Sequence, residues 1–253
     1  MIAFLRACLG VCLLLASATA FAAADYAREK RWADQITPSI VVGDPVYLTQ
    51  QNGHKFLGIY TEADNKRMGV VVVHGIGVNP DWGMIGTLRQ RLPDLGYATL
   101  SIQMPVLAAE ARAEAYTETF PEAEERLQLA VAWLADKGYE RIAIVSHSMG
   151  SRMTYAYMKR NPVEVDAWAA LGMSATPDGY PPPLTYSGIQ VPVLDLYGSN
   201  DLPQVLSGAA LRRASLTTNT AAKQIVIANS NHFFADHEAE MIKAVKDFLD
   251  SVK

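Results

Sequence analysis

The chain has 253 residues, and its 22 Lys and Arg against 26 Asp and Glu give a formal net charge of −4. This mildly acidic balance argues against nucleic-acid binding, because a nucleic-acid partner needs a concentrated positive footprint. Half of the residues are hydrophobic and 19% are charged, which excludes a disordered chain and predicts a sizeable core.

The first 22 residues have the pattern of a secretory signal peptide. Arg6 precedes a short apolar run, and small residues in A-x-A spacing follow it. We expect cleavage after Ala22, with Ala20 and Ala24 as alternatives, and export to the periplasm or the cell exterior. The competing interpretation is an uncleaved anchor, but the apolar run is short for a bilayer span of about 20 residues. The mature chain, residues 23–253, is predicted to be one domain without a stable membrane span.

Both cysteines, Cys8 and Cys12, lie within this leader. Cleavage would therefore leave a mature protein without a disulfide or a thiol nucleophile. Lipid attachment to one of these cysteines is the alternative, although neither follows the small-residue context that a lipoprotein peptidase prefers.

Strand and helix patterns alternate along the mature chain. The β-branched run Gly69–Val73 is typical of a strand buried on both faces of a parallel sheet. An Asn52-Gly53 turn predicts a hairpin over residues 46–62. Further strands are predicted at residues 98–102, 142–145, 167–171, 192–197 and 224–228, and helices at residues 25–35, 82–95, 119–138, 149–159, 203–216 and 236–252. The pattern predicts an α/β fold, a doubly wound, mostly parallel sheet with helices on both faces.

Ser148 is the candidate nucleophile. The segment Ser146-His-Ser-Met-Gly150 follows one predicted strand and opens a helix, which is the context of the G-x-S-x-G nucleophile elbow. Gly150 meets the need for a small residue two positions away, whereas Ser146 departs from the usual glycine. The alternative interpretation is an ordinary helix N-cap, because serine is a common cap.

A serine nucleophile also needs two N–H donors for the oxyanion that develops on the substrate. In elbow enzymes one donor is the residue after the nucleophile, here Met149, and the other lies in the loop after an earlier strand. That loop is His74-Gly-Ile-Gly77, in which Ile76 is the best candidate and Gly77 the next. The alternative is a plain βα turn. His74 precedes the nucleophile in the chain, which favours a structural or pocket-lining role over that of the base.

The acid and the base are expected after the last two strands. Asp201 follows the strand at residues 192–197, and Asp195 is a weaker candidate because it lies within that strand. His232 follows the strand at residues 224–228, and His237, already in the last helix, is the alternative base. The order Ser148, Asp201, His232 is the one expected for such a triad. A helix cap is the competing role for Asp201.

These motifs resemble the α/β-hydrolase superfamily, in particular its serine esterases, over about residues 45–250. The segments at residues 79–82 and 96–105 are also similar to an exported bacterial α/β-hydrolase-like family of unknown function. The resemblance implies an α/β-hydrolase fold without a large lid domain. It also implies that His232 takes the Ser148 proton, that Asp201 orients His232, and that no metal or cofactor takes part.

The resemblance further implies a small-molecule acyl substrate, most simply a carboxylic ester. Thioester, amide or peptide hydrolysis by the same triad and a non-catalytic envelope or binding protein are the alternatives. The loops at residues 104–119 and 174–188 are expected to form the pocket walls or, alternatively, to fill the core. Their apolar side chains are those of Met104, Leu107, Tyr116, Phe120, Met173, Tyr180 and Tyr186.

Overall fold

The computed structural model describes residues 24–64, 66–162, 164–174, 184–216 and 222–252. The predicted signal peptide lies outside these residues, as does Tyr180, so both remain predictions from the sequence. Over the described ranges, no helix has the length and apolar character needed to cross a bilayer.

The described residues form an eight-stranded sheet with helices between the strands. The strands are β1 (Asp44–Thr49), β2 (Lys55–Thr61), β3 (Gly69–Val73), β4 (Ala98–Ile102), β5 (Ile142–His147), β6 (Ala167–Leu171), β7 (Val193–Asn200) and β8 (Lys223–Asn231). The α-helices are α1 (Tyr26–Ile36), α2 (Gly83–Asp94), α3 (Phe120–Asp136), α4 (Met149–Arg160), α5 (Pro203–Leu206), α6 (Ala209–Ser215) and α7 (Glu238–Ser251). The predicted alternation is confirmed, except that the helix expected at residues 203–216 is two short helices.

The sheet has the strand order β1-β2-β4-β3-β5-β6-β7-β8. The hairpin strands β1 and β2 are antiparallel, and β2 also pairs antiparallel with β4. All pairs from β4 to β8 are parallel. Because parallel strands end at the same edge, the segments after β3, β5, β7 and β8 meet there. This edge holds all of the candidate site residues.

Two apolar layers cover the two faces of the sheet, and β3 supplies both. Val71 and Val73 pack with α3 and α4, whereas Val70 and Val72 pack with α2 and α7. All four valines are fully buried. Burying such a side chain contributes about 1.5–3 kcal/mol relative to exposure. The continuous apolar run therefore follows from a strand with helices on both sides.

A buried arginine connects the N-terminal helix to the rest of the domain. Arg126 on α3 is fully buried and donates to Glu29 on α1 at 3.0 Å and to Glu122 at 2.6 Å. It also donates to the carbonyl of Gln103, after β4, at 2.9 Å. Breaking such a buried pair by removing one partner leaves an uncompensated charge, which costs about 3–5 kcal/mol.

Burial also raises the pKa of the Glu29 carboxyl to about 7, although Arg126 opposes the shift. Because the pKa of Glu29 is higher in the folded than in the unfolded protein, the folded state holds this proton more tightly. Glu29 therefore contributes fully to the unfolding free energy below about pH 4.5, and this contribution is lost as the pH rises through about 7. Glu29→Gln keeps the shape without the titration. The variant should therefore show a flatter dependence of unfolding free energy on pH over this interval, measured by urea denaturation. The exposed control Glu140→Gln should keep the wild-type slope, and a Glu29→Gln slope equal to it contradicts the account.

Candidate active site

Ser148 lies in a strained turn between β5 and α4. Its backbone has φ +54° and ψ −121°, a conformation that costs a non-glycine residue about 1–3 kcal/mol. A side chain at Gly150 would place its Cβ 2.3 Å from the carbonyl oxygen of His74, so only glycine fits there. Ser148 makes no side-chain cap hydrogen bond to α4. Ser148 thus occupies the N-cap position of α4 without using its side chain as the cap, and the strand–turn–helix geometry is that expected of a nucleophile elbow.

The departure at Ser146 has a structural explanation. Its buried hydroxyl accepts a hydrogen bond from the Trp168 indole nitrogen at 2.8 Å and lies 3.1 Å from the Ser151 hydroxyl oxygen. Trp168 is itself fully buried on β6, so its N–H needs a partner inside the protein. A glycine at position 146 would leave that donor without this acceptor.

The structure brings Ser148, His232 and Asp201 together. His232 Nδ1 lies 2.6 Å from Asp201 Oδ1, and His232 Nε2 lies 3.0 Å from Ser148 Oγ. A carboxylate only accepts, so Nδ1–H is the donor in the first contact. In the tautomer that this contact selects, Nε2 is the acceptor that faces the Ser148 hydroxyl. This is the geometry in which a histidine removes the proton of a nucleophile.

The pairing of β7 with β8 places Asp201 beside His232. After a register shift, Asn200 pairs with Asn231, and Asp201 and His232 are the next residues after the two strands. Gly198 permits the shift, because a Cβ there would lie 2.2 Å from the Ser230 carbonyl oxygen. Asp201 Oδ1 also accepts from the Leu202 N–H at 2.7 Å.

The two alternative residues, Asp195 and His237, contact other side chains. Asp195 is buried on β7 and accepts from Arg212 at 2.9 Å and from the Tyr186 hydroxyl at 2.8 Å. Burial raises its pKa while Arg212 opposes the shift. His237 precedes α7 and lies 3.6 Å from Glu240. The hydrogen-bonded chain from Ser148 therefore runs through His232 to Asp201.

His147, which directly precedes Ser148, holds the backbone of His232. Its Nε2–H donates to the backbone carbonyl of His232 at 2.9 Å, and the two rings are 4.6 Å apart. Burial lowers the pKa of His147 to about 3, so this ring stays neutral. The motif made this residue visible in the sequence, but its partner across the sheet was not predictable from spacing.

His74 anchors the loop that carries the expected oxyanion donor. Its Nδ1–H donates to the Gly75 carbonyl at 2.8 Å, and its Nε2 accepts from the Met104 N–H at 2.9 Å. The Gly75 carbonyl and the Ile76 N–H belong to one planar peptide and point in opposite directions. The His74 contact therefore also orients the Ile76 N–H. Burial lowers the pKa of His74 to about 4, and its predicted structural role is confirmed.

The N-terminal helix contacts the same loop. Arg28 on α1 donates to the Leu107 carbonyl at 2.5 Å and to the Gly77 carbonyl at 3.4 Å. Glu29, the next residue, accepts from the Val106 N–H at 3.2 Å. Helix α1 thus supports the loops that follow β3 and β4, a role that its polar sequence did not reveal.

Ser148 opens into a cavity of about 180 Å³. The described residues that line it are Ile76, Ala113, Glu114, Ser148, Met149, Arg152, Gly172, Ser174, Leu202, Gln204, Val205 and His232. Both predicted oxyanion residues, Ile76 and Met149, therefore share one cavity with the nucleophile. No group of three or more His, Cys, Asp or Glu side chains suited to a metal ion occurs among the residues that the structure describes.

Both loops contribute to the cavity through Ala113, Glu114 and Ser174, but most of their large apolar side chains follow the alternative expectation and fill the core. Five of the expected side chains are buried in the core layer beside α3 and α4: Met104, Leu107, Tyr116, Met173 and Tyr186. Phe120 lines a separate depression between those helices. The loops turn their apolar side chains onto the sheet, where burial removes more apolar surface from water than a cavity wall would.

Gly172 lies against the His232 ring. No motif in the sequence indicated this contact. Gly172 follows β6 with φ +56°, and a Cβ there would lie 3.0 Å from His232 Nδ1 and Cε1. The available signal in the sequence was a glycine directly after a buried strand, which marks a close approach of another group.

We expect Gly172→Ala to displace the His232 ring by a few tenths of an ångström. Because proton transfer depends on position, kcat should fall about tenfold or more while KM changes little. Steady-state kinetics with a chromogenic ester measure this. Gly53→Ala, at a hairpin turn where a Cβ meets nothing within 4 Å, is the matched control for a positive φ. Equal kcat values for the two variants contradict the account.

Ser146→Ala should remove the acceptor of the Trp168 indole. An unsatisfied buried donor costs about 1–3 kcal/mol, so the unfolding free energy should fall by that amount. The triad contacts lie elsewhere, so activity per folded molecule should persist. Chemical denaturation followed by Trp fluorescence tests the first expectation. Wild-type stability in this variant contradicts the proposed role of Ser146.

The N-terminal part of the chain is similar to a family whose function is unknown. Residues 27–124 match the model of a family described as Protein of unknown function (DUF3530). A comparison with curated proteins gives no significant match.

Three solved structures show the likeness. A putative α/β hydrolase from Agrobacterium tumefaciens is 15% identical, with a TM-score of 0.65 over 81% of this chain and 94% of that one. An esterase from Pyrococcus furiosus is 15% identical, with a TM-score of 0.65 over 82% and 90%. A serine hydrolase without a lid from Xanthomonas campestris is 14% identical, with a TM-score of 0.61 over 83% and 95%. The chain therefore has the α/β-hydrolase fold that its motifs predicted, and its N-terminal part matches a family of unknown function.

Proposed function

We propose that the protein is an exported serine hydrolase that cleaves carboxylic esters. One observation carries the proposal: the continuous hydrogen-bonded chain from Ser148 Oγ through His232 to Asp201, with contacts of 3.0 and 2.6 Å. The predicted signal peptide at residues 1–22 supports export to the periplasm or the cell exterior.

The proposed reaction has two half-reactions, acylation of Ser148 and hydrolysis of the acyl-enzyme. Ser148 Oγ attacks the ester carbonyl carbon while its proton moves to His232 Nε2. Collapse of the tetrahedral intermediate breaks the bond to the alcohol oxygen, which takes that proton and leaves. Water then gives a proton to His232 and attacks the acyl-enzyme. The second collapse returns the proton to Ser148 Oγ and releases the acid. Asp201 stabilises the imidazolium that forms in each half-reaction.

The Ile76 and Met149 N–H groups are proposed to hold the oxyanion. Met149 begins α4, where the first N–H groups have no partner within the helix. The Ile76 N–H is oriented by the His74 contact with the Gly75 carbonyl. Loss of one such donor typically costs about 2.7–4 kcal/mol of transition-state stabilisation.

The structural neighbours favour ester substrates. One of the solved structures is named an esterase and another a serine hydrolase without a lid. Thioesters, amides and peptides use the same machinery, so the leaving group has to be tested. The departure at Ser146 does not count against a catalytic role, because Trp168 gives that hydroxyl a structural role.

A fluorophosphonate probe tests the proposed nucleophile. The purified mature protein should be labelled, and Ser148→Ala should lose more than about nine-tenths of the label because the attacking oxygen is gone. Ser187→Ala, which removes an exposed serine, is the control and should label like the wild type. Circular dichroism confirms that each variant is folded. Absence of labelling in folded wild-type protein, or labelling that survives Ser148→Ala, contradicts the proposal.

A further inference from the structure

Two exposed aromatic rings form a contacting pair, and one of them, Phe233, lies next to His232. Trp82 is 37% exposed and Phe233 is 48% exposed, and both rank among the exposed large hydrophobic residues. Their ring centroids are 5.3 Å apart with an interplanar angle of 73°, an edge-to-face pair. Neither ring belongs to the cavity beneath Ser148.

Both rings are held by ordered backbone. Trp82 caps the start of α2, and its N–H donates to the Asn79 carbonyl at 3.2 Å. The Phe233 N–H donates to the Asn231 side chain at 2.9 Å. The neighbouring Phe234 is fully buried and fixes the turn from the other side. A rigid pair of exposed rings loses little entropy when it binds a ligand, because the two rings are already in place.

The position of Phe233 indicates which part of the substrate the two rings would contact. Its ring centroid lies 5.1 Å from the His232 ring centroid. In acyl transfer the leaving alcohol oxygen must approach His232 Nε2 to take its proton. The alcohol part of an ester therefore passes next to the histidine and so beside Phe233 and Trp82.

We propose that Trp82 and Phe233 form a subsite for an aromatic ring in the alcohol part of the substrate. The substrate class is then an ester of an alcohol that bears an aromatic ring. The inference rests on the proposed function, because the alcohol has a defined place only if Ser148 and His232 perform acyl transfer. The two side chains bind and orient the substrate, and they exchange no proton with it.

Two matched pairs of esters separate the alcohol side from the acyl side. Benzyl acetate and cyclohexylmethyl acetate differ in the aromaticity of the alcohol, whereas methyl phenylpropanoate and methyl cyclohexylpropanoate differ in that of the acid. Wild-type protein should prefer the benzyl ester in kcat/KM and show a smaller preference within the second pair. The preference reflects ring–ring contacts, which are worth roughly fivefold to tenfold in affinity when favourable.

Variants assign that preference to the rings. Trp82→Leu and Phe233→Leu should each lower kcat/KM for benzyl acetate by roughly fivefold to tenfold and leave that for cyclohexylmethyl acetate within about twofold. Phe233→Tyr retains a ring and should keep the preference. Tyr47→Leu removes another exposed aromatic residue, on β1, and should change nothing.

If the fluorophosphonate labels the wild type, three results overturn the aromatic subsite without contradicting Ser148 as the nucleophile. These are equal values for the two acetates, equal losses for both acetates in the leucine variants, and a ring preference confined to the acid side. Hydrolysis of none of the four esters by protein that is labelled also overturns the substrate class. Protein that is not labelled at all instead contradicts the proposed function itself.

Discussion

The site depends on the close contact between the turn at Ser148 and the end of β3. At Gly150 the backbone of α4 approaches the His74 carbonyl so closely that no Cβ fits between them. This contact keeps Ser148 at a positive φ, which points its hydroxyl out of the sheet edge and towards His232. The strain of about 1–3 kcal/mol is offset by the buried strands on both sides of the turn.

Three of the five histidines in the chain meet around this turn, and burial gives two of them a supporting role. His74 and His147 have pKa values lowered to about 4 and about 3, so each is a neutral donor to a backbone carbonyl. His74 holds the peptide before Ile76, and His147 holds the backbone of His232. The loop after β3 and the backbone of His232 are thus fixed by neighbours that carry no charge of their own.

Much of this arrangement was predictable from local sequence. The elbow, the β-branched strand before His74 and the chain order of Ser148, Asp201 and His232 each follow from short motifs and periodicity. Those motifs place residues at one sheet edge, and the parallel topology brings them together. The register shift that pairs Asn200 with Asn231 completes the arrangement.

The remaining features depend on contacts between distant segments. Nothing in the spacing of Ser146 and Trp168 indicates a hydrogen bond, and Gly172 approaches His232 only in the folded sheet. For the same reason the sequence could not decide between pocket wall and core for apolar loop residues such as Tyr116, which can face either. Arg126 became a buried link to α1 through partners almost a hundred residues apart.

The most direct measurement is a crystal structure of the protein inhibited by an alkyl phosphonate. The account predicts a covalent bond from Ser148 Oγ to phosphorus. It also predicts that the phosphoryl oxygen lies about 2.7–3.1 Å from the backbone nitrogens of both Ile76 and Met149. A phosphorus atom on another residue, or a phosphoryl oxygen that points away from these two amides, would contradict it.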